Sequence, residues 1–479
     1  MPRDATPLVL RGGKVIDGSG NPAFQADVAV ADGVIQAILA PGASARGDTV
    51  DATGMVVCPG FIDTHAHDDL QVLQGLKQQP KLSQGVTTVV TGNCGISLAP
   101  LVHPGAPAPL DLLGAHSYRY ATFRDYLQQL DAARPAVNVV PLVGHITVRV
   151  ARVADLQREA SAGEIRAMRA DISAALDAGA FGLSTGVYYP PAQAATAHEL
   201  EEVCRALKGR NAVLAMHIRD EGDHVDAALK EALDVSHDCG ARLVLSHHKV
   251  VGPRNHGRTK GTLALVEAAA QHRDVCVDCY PYEASSTMLD VDKAVRIQQV
   301  LISWSQPFPH FAGRALADIA HEWGTSLAQA AQRLMPGGAI YFGMAPDDVD
   351  RVVSHPLAMF GSDGLPHDSA PHPRLWGTFP RVLGHYSRER GLLPLPLAVH
   401  KMTGLPARRF GLRGRGLISE GYCADLVVFD PATVRDNATY QNPTAPPSGI
   451  HAVIVNGRLA QLRGRAVDLH AGQRLIPAP

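Results

Sequence analysis

His65 and His67 stand one residue apart in F-I-D-T-H-A-H-D-D, and in an extended segment residues two apart point to the same side. Two imidazoles on one side can hold a metal ion, or they can share a wet surface. Other reactive residues decide between these. Cys94 in T-G-N-C-G, His217 in A-M-H, His247 and His248 in S-H-H-K, and Asp363 in G-S-D-G each close a short apolar run. Imidazole and thiolate together suit zinc, and three protein ligands with an open position mark a catalytic rather than a structural site. The wide sequence spacing points the same way, because structural zinc sites use short local loops. His247 and His248 face opposite sides of an extended strand, so only His247 is expected to be a ligand, and Lys249 returns to its side. Cys276 and Cys279, spaced C-x-x-C, read instead as part of a buried strand with no second C-x-x-C to complete a site.

These residues can meet only if the chain carries them to one mouth. Eight apolar runs read as strands, from V-V-C-P-G-F-I-D-T-H-A-H to L-A-M-F-G-S-D-G. Helical patterns lie between several of them, such as A-G-E-I-R-A-M-R-A-D-I-S-A-A-L-D-A-G, with Gly just past the end as a cap. Eight βα units predict an α/β protein with a (β/α)8 barrel, whose strand C-termini share one face where such enzymes place their sites. The connection between strands seven and eight is long, roughly 285–350, and predicts an inserted lid or subdomain. Alternating apolar and polar runs near both ends predict antiparallel sheet. Residues 1–56 and 412–479 are expected to form one small β-sandwich domain, with 57–411 as the barrel.

Hydrophobic residues make up 46% and charged residues 19%, as in an ordinary soluble globular enzyme, and the net charge is −2 without basic or acidic blocks. That balance argues against nucleic acid or a membrane surface as a partner. No apolar stretch is long enough to span a bilayer. The N-terminal M-P-R-D-A-T-P lacks a signal peptide's apolar core, so a cytoplasmic location is expected, and seven scattered cysteines suit reduced thiols there.

P-G-F-I-D-x-H-x-H, the later strand-end histidines, G-S-D-G and the split terminal sheet together resemble the amidohydrolase superfamily. Within it, G-V-T-T-V-V-T-G-N-C-G-I-S, S-H-H-K, C-Y-P-Y and H-P-R-L-W-G-T-F-P-R resemble the D-aminoacylase group, the N-acyl-D-amino-acid deacylases, over nearly the whole chain. The resemblance implies metal-dependent hydrolysis of small-molecule linear amides. Many amidohydrolases bridge two metals with a carboxylated lysine on strand four. Strand four here, A-F-G-L-S-T-G-V-Y-Y, has no lysine, and the resemblance implies Cys94 as the substitute. It then implies one tightly bound zinc on Cys94, His217 and His247. A second, labile position is implied on His65, His67 and the shared Cys94, with Asp363 beside it. Asp363 is implied as general base, and Arg374, Lys249 and Tyr280 as holders of the substrate α-carboxylate. His145 and Tyr188, at the ends of strands three and four, are expected to line the pocket or polarise the carbonyl.

The segment D-V-D-K-A-V-R-I-Q-Q places Lys293 and Arg296 three apart on one helix face just after strand seven. Arg296 is expected to pair with a side-chain carboxylate, making N-acyl-D-glutamate the preferred substrate. Alternatives are deacylation of hydrophobic N-acyl-D-amino acids, a hydantoinase- or dihydroorotase-like cyclic amidase, and an Xaa-Pro peptidase. The missing strand-four lysine and H-P-R-L-W-G-T-F-P-R count against the cyclic amidase. A non-catalytic metal protein would need a closed four-ligand site. Acyl group and oligomeric state stay open at this level.

Overall fold

The computed structural model describes residues 7–75, 79–114 and 117–478. Eight strands follow the eight expected runs: β1 (Phe61–Asp63), β2 (Val86–Thr91), β3 in two pieces (Asn138–Pro141 and Val143–Gly144), β4 (Gly182–Gly186), β5 (Val213–His217), β6 (Arg242–Leu245), β7 (Val275–Cys279) and β8 (Ala358–Phe360). All pair in parallel. Their residues are almost wholly buried, as expected of parallel strands covered on both faces.

The ladder is not one continuous ring. It forms two sheets, β3–β2–β1 and β3–β4–β5–β6–β7–β8. β3 serves both, pairing with β2 up to Pro141 and with β4 from Val143. Between β1 and β8 there is a bridge joining Ala66 to Gly364, with bonds from Thr64 N to Phe360 O (3.3 Å) and from Asp363 N to His65 O (2.7 Å). The strand pattern stops there because the Asp63 carboxylate, not a backbone carbonyl, accepts the next amides. Ile62, Val90, Val140, Ala215, Val244, Cys276 and Met359, one from most strands, nevertheless pack into a single inner cluster. Cys276 lies in that cluster and Cys279 in the outer core, so the C-x-x-C pair faces two ways.

Local signals explain the surrounding helices. Ser161 and Glu164 close a capping box before Ala162–Ala178, and Gly179 ends that helix at a φ of 119°.

Two further sheets involve the chain ends, one of four strands from residues 8–51 and one of seven strands drawn from both ends. Leu10, Val28, Ile35, Val57, Leu426 and Ile454 pack between them as a separate apolar core. These sheets are mixed rather than antiparallel as expected, since Leu8–Arg11 pairs in parallel with Asp48–Asp51 and Lys14–Val15 with Val56–Val57. A parallel pair needs a crossover connection, and the hairpin Asp27–Ala31 with Val34–Leu39 supplies one. The long connection before β8 holds an antiparallel sheet of Ser285–Met288, Gly337–Tyr341 and Val300–Ser305, with its own core around Ile302, Leu316 and Leu334. No helix among the described residues is long and apolar enough to cross a membrane.

Candidate active site

Cys94 is delivered by a tight turn after β2, and its neighbours make room for it. Gly95 N donates to Ser184 Oγ of β4 at 2.9 Å. A side chain on Gly186, the last residue of β4, would put its Cβ 2.1 Å from the Cys94 carbonyl oxygen. The end of β4 is therefore filled by the Cys94 turn, which gives the missing strand-four lysine a physical setting. Gly186→Ala should cost about 1–3 kcal/mol through overpacking and displace the thiol. A thermal melt together with zinc uptake would check this.

Cys94 (φ 55°), His247 (φ 35°) and Asp363 (φ 47°) all adopt left-handed backbone, three of the nine described non-glycine residues that do. Such conformations cost about 1–3 kcal/mol each and persist where surrounding structure fixes them. For His247, Asp278 Oδ1 accepts its backbone N–H at 2.6 Å.

The result is a compact cluster. Cys94 Sγ lies 3.4 Å from His247 Nε2 and 3.2 Å from His65 Nε2, and His247 Nε2 lies 3.1 Å from His217 Nδ1. Three overlapping trios have ligand atoms within 4.8 Å of one another: Cys94, His217 and His247; His65, His67 and Cys94; His65, His247 and Asp363. His65 and His67 lie just beyond β1 rather than within it, yet both reach the cluster. Burial alone would raise the Cys94 thiol, but His65 and His247 hold it well below the usual thiol range, favouring the thiolate, the form that can bind a metal. Burial and His247 together lower His217, favouring the neutral ring that ligates metals. Burial opposes charge on His67 too, but Asp363 and Cys94 lift it to about 9.

Asp363 Oδ1 sits 3.2 Å from His67 Nε2 and 3.5 Å from His65 Nε2. Its other oxygen is 2.8 Å from Arg374 Nη1. Burial pushes this carboxyl up, but Arg374 and then His65 hold it well below the usual carboxylate range. Arg374 is fully buried. Its Nη2 donates to Ser286 O at 3.0 Å, while Nε and Nη1 have no hydrogen-bond partner of good geometry. The Tyr280 hydroxyl is likewise buried without a partner, and its ring lies 4.5 Å from the Arg374 guanidinium and 5.7 Å from Lys249 Nζ. Lys249 donates to Glu221 Oε1 at 2.6 Å, and the same oxygen is 3.2 Å from His247 Nδ1.

Four other expectations meet different surroundings. His248 turns away from the cluster, and its Nε2 lies 2.9 Å from Thr262 Oγ1. Tyr188 joins the site, its ring stacked 5.0 Å from that of His217. His145 has its Nε2 engaged 3.1 Å from Glu199 Oε1, which also accepts Arg149 Nε at 2.9 Å, while its Nδ1 is buried without a partner. Arg296 and Lys293 differ in burial, although the Arg296 charge acts on both Lys293 and Tyr188. On the helix Val291–Ile297, Lys293 is buried with its ammonium 5.4 Å from the Tyr188 ring and 4.7 Å from that of Tyr341, whereas Arg296 is exposed. The lysine stem follows buried Ala294 inward, and the arginine lies in the last turn, where the helix runs out into solvent.

Glu221, Asp278 and Tyr189 are site neighbours that the motifs did not single out. Tyr189 packs 5.1 Å from the His217 ring and is 3.1 Å from Thr287 Oγ1. Two signals were available: Glu221 falls four residues after His217, and Asp278 is an acid inside the apolar run V-C-V-D-C.

A profile of the amidohydrolase family matches residues 48–461. The chain is 52% identical to a D-aminoacylase of Alcaligenes xylosoxydans xylosoxydans, over 98% of its own length and 97% of the relative's. It is 51% identical to an N-acyl-D-aspartate deacylase of that organism, covering 98% and 95% of the two chains. Against that organism's N-acyl-D-glutamate deacylase the identity is 48%, covering 94% and 92%. A solved D-aminoacylase, described as having a binuclear metal centre with one-metal activation and second-metal attenuation, superposes with a TM-score of 0.96 at 52% identity, covering 98% and 99%. An N-acyl-D-glutamate deacylase of Bordetella bronchiseptica, complexed with zinc and a phosphonate mimic of the tetrahedral intermediate, superposes with a TM-score of 0.95 at 46% identity, covering 98% and 100%.

Proposed function

The chain belongs to the amidohydrolase family, and from that premise we propose that it is a zinc-dependent deacylase of N-acyl-D-amino acids that prefers acidic side chains, N-acyl-D-glutamate among them. One observation carries the reading: Cys94, His217 and His247 converge beside Asp363, which Arg374 pairs at 2.8 Å, with Arg374 Nε and the Tyr280 hydroxyl buried without partners. The eight strands are read as one (β/α)8 barrel over the expected 57–411, entered after the strand Val56–Pro59, which pairs in the terminal sheet, and interrupted by the 285–350 insert. Residues 1–56 and 412–479 then form the β-sandwich. The shared inner cluster supports this.

The donor set fits zinc. Ligands of a tetrahedral zinc stand about 3.3–3.8 Å apart, and the separations here are 3.4 Å for Cys94–His247 and 3.1 Å for His247–His217. When bound, the ion supplies Lewis-acid polarisation of the scissile carbonyl and a water of lowered pKa. His65, His67 and the shared Cys94 form a weaker second position, and the D-aminoacylase described by one-metal activation supports a single working ion.

Asp363 takes a proton from the attacking water as its oxygen bonds to the carbonyl carbon. It returns that proton to the amide nitrogen as the C–N bond breaks, giving a carboxylate and the free D-amino acid. Arg374 and Lys249, two buried cations, and the Tyr280 hydroxyl hold the α-carboxylate and so fix which bond faces Asp363. The relatives support linear D-substrates over a cyclic amide.

Lys293 takes the part first expected of Arg296. It is a buried ammonium held by ring faces rather than by a carboxylate, one tyrosine away from His217. Lys293→Met should reduce kcat/KM for N-acetyl-D-glutamate and N-acetyl-D-aspartate by about 10–100-fold, the worth of a charge-assisted hydrogen bond, with N-acetyl-D-leucine little changed. Arg296→Leu should change neither. Equal losses on acidic and apolar substrates would remove Lys293 from this role. Burial lowers Lys293 to about 8, so its charge is lost as pH rises through that value. Acidic substrates should therefore lose ground to apolar ones above pH 8.

A further inference from the structure

The seam between β1 and β8 carries His65, His67 and Asp363, and a buried ionic clasp spans it. Lys81, on the short helix Gln79–Leu82, is fully enclosed. Its ammonium donates to Asp63 Oδ2 of β1 at 2.7 Å and to Ser362 Oγ beyond β8 at 2.8 Å, and lies 3.1 Å from Asp68 Oδ2. With its second oxygen, Asp63 accepts the backbone N–H groups of His65 (3.2 Å) and Ser362 (2.7 Å). Ser362 Oγ in turn accepts from Gly364 N at 3.3 Å and donates to His65 O at 3.4 Å. Backbone on both sides of Asp363, and both the N–H and the carbonyl of His65, are thus tied to one network.

A buried ion cluster is a weak stabiliser, because desolvation offsets much of its Coulomb gain, but its geometry is demanding. Here the geometry coincides with the spacing of three candidate metal-site residues. We infer that Lys81, acting through Asp63 and Ser362, is a positioning residue that holds Asp363 against His65 and His67. It thereby sets the affinity of the weaker metal position without governing the Cys94–His217–His247 trio. The inference rests on the metal reading proposed above.

Zinc titration of the metal-free full chain against a competing chelator tests it by reading two binding steps. Ser362→Ala removes the direct bond from Lys81 and the hydroxyl's bonds to His65 O and Gly364 N, leaving the Ser362 N–H on Asp63, while the ammonium keeps Asp63 and Asp68, so the fold is retained. Lys81→Met removes the clasp altogether; if that variant does not fold, Ser362→Ala decides. The weaker step should weaken about 10–100-fold, as for other residues that orient metal ligands, and the tighter step should stay within about threefold of wild type. A merely structural role would lower the melting temperature without separating the steps. Two unchanged steps, or two steps weakened equally, would overturn the inference. Wild-type protein with only the tighter step would overturn it while leaving the deacylase reading standing. Wild-type protein that binds no zinc would instead overturn that reading as well.

Discussion

Asp363→Asn should lower kcat by about 10²–10⁴-fold while leaving the tightly held zinc in place, the range expected for loss of a general base. Asparagine keeps the shape of the side chain and removes its ability to take a proton. Asp363 is not among the Cys94–His217–His247 trio, so metal content should follow that trio rather than the base. The substitution also strips Arg374 of its 2.8 Å carboxylate neighbour. Removing one partner of a buried pair costs about 3–5 kcal/mol, so the melting temperature should fall as well. Amine release per zinc-loaded molecule separates these effects. A variant with near wild-type turnover per zinc would remove Asp363 as the base.

His217→Asn and Cys94→Ala should lose both zinc and activity. If the ion contributes several kcal/mol of transition-state stabilisation, turnover should drop by about 10³-fold or more. His67→Asn is expected to behave differently, keeping most of its zinc and losing about 10–100-fold in rate through misplacement of Asp363. His217 Nδ1 and His247 Nε2 are 3.1 Å apart, whereas His67 meets the cluster through Asp363 and Cys94. Metal analysis of the three variants beside wild type checks the contrast. If His67→Asn emptied the protein and His217→Asn did not, the working ion would belong to the His65–His67 side.

Most of the site's membership could be read from the sequence, because strand ends are marked by apolar runs and the reactive residues punctuate them. Residues such as Cys94 and His247 were therefore placed at one mouth by pattern alone. Their left-handed backbone was not readable, since it depends on partners distant in sequence, such as Asp278 accepting the His247 amide. Arg296 shows another boundary. Helix periodicity puts it beside Lys293, but which side chain turns inward is set by Tyr188 and Tyr341, residues remote in the chain. The strand-end position of His145 is legible, but not the Glu199 that engages its Nε2, which comes from a different helix. Lys81 carries no motif at all; its importance appears only when Asp63 and Ser362, 299 positions apart, are seen to share it. The mixed terminal sheets follow the same rule, because alternation reveals strands but not the direction of their partners.

The most direct measurement is a turnover assay on metal-free protein given one equivalent of zinc, with N-acetyl D- and L-forms of glutamate, aspartate, leucine and methionine side by side. A zinc-dependent D-deacylase should regain activity with the first equivalent, confined to D-substrates and greatest for the acidic pair. Turnover independent of zinc, or confined to L-substrates, would contradict that reading.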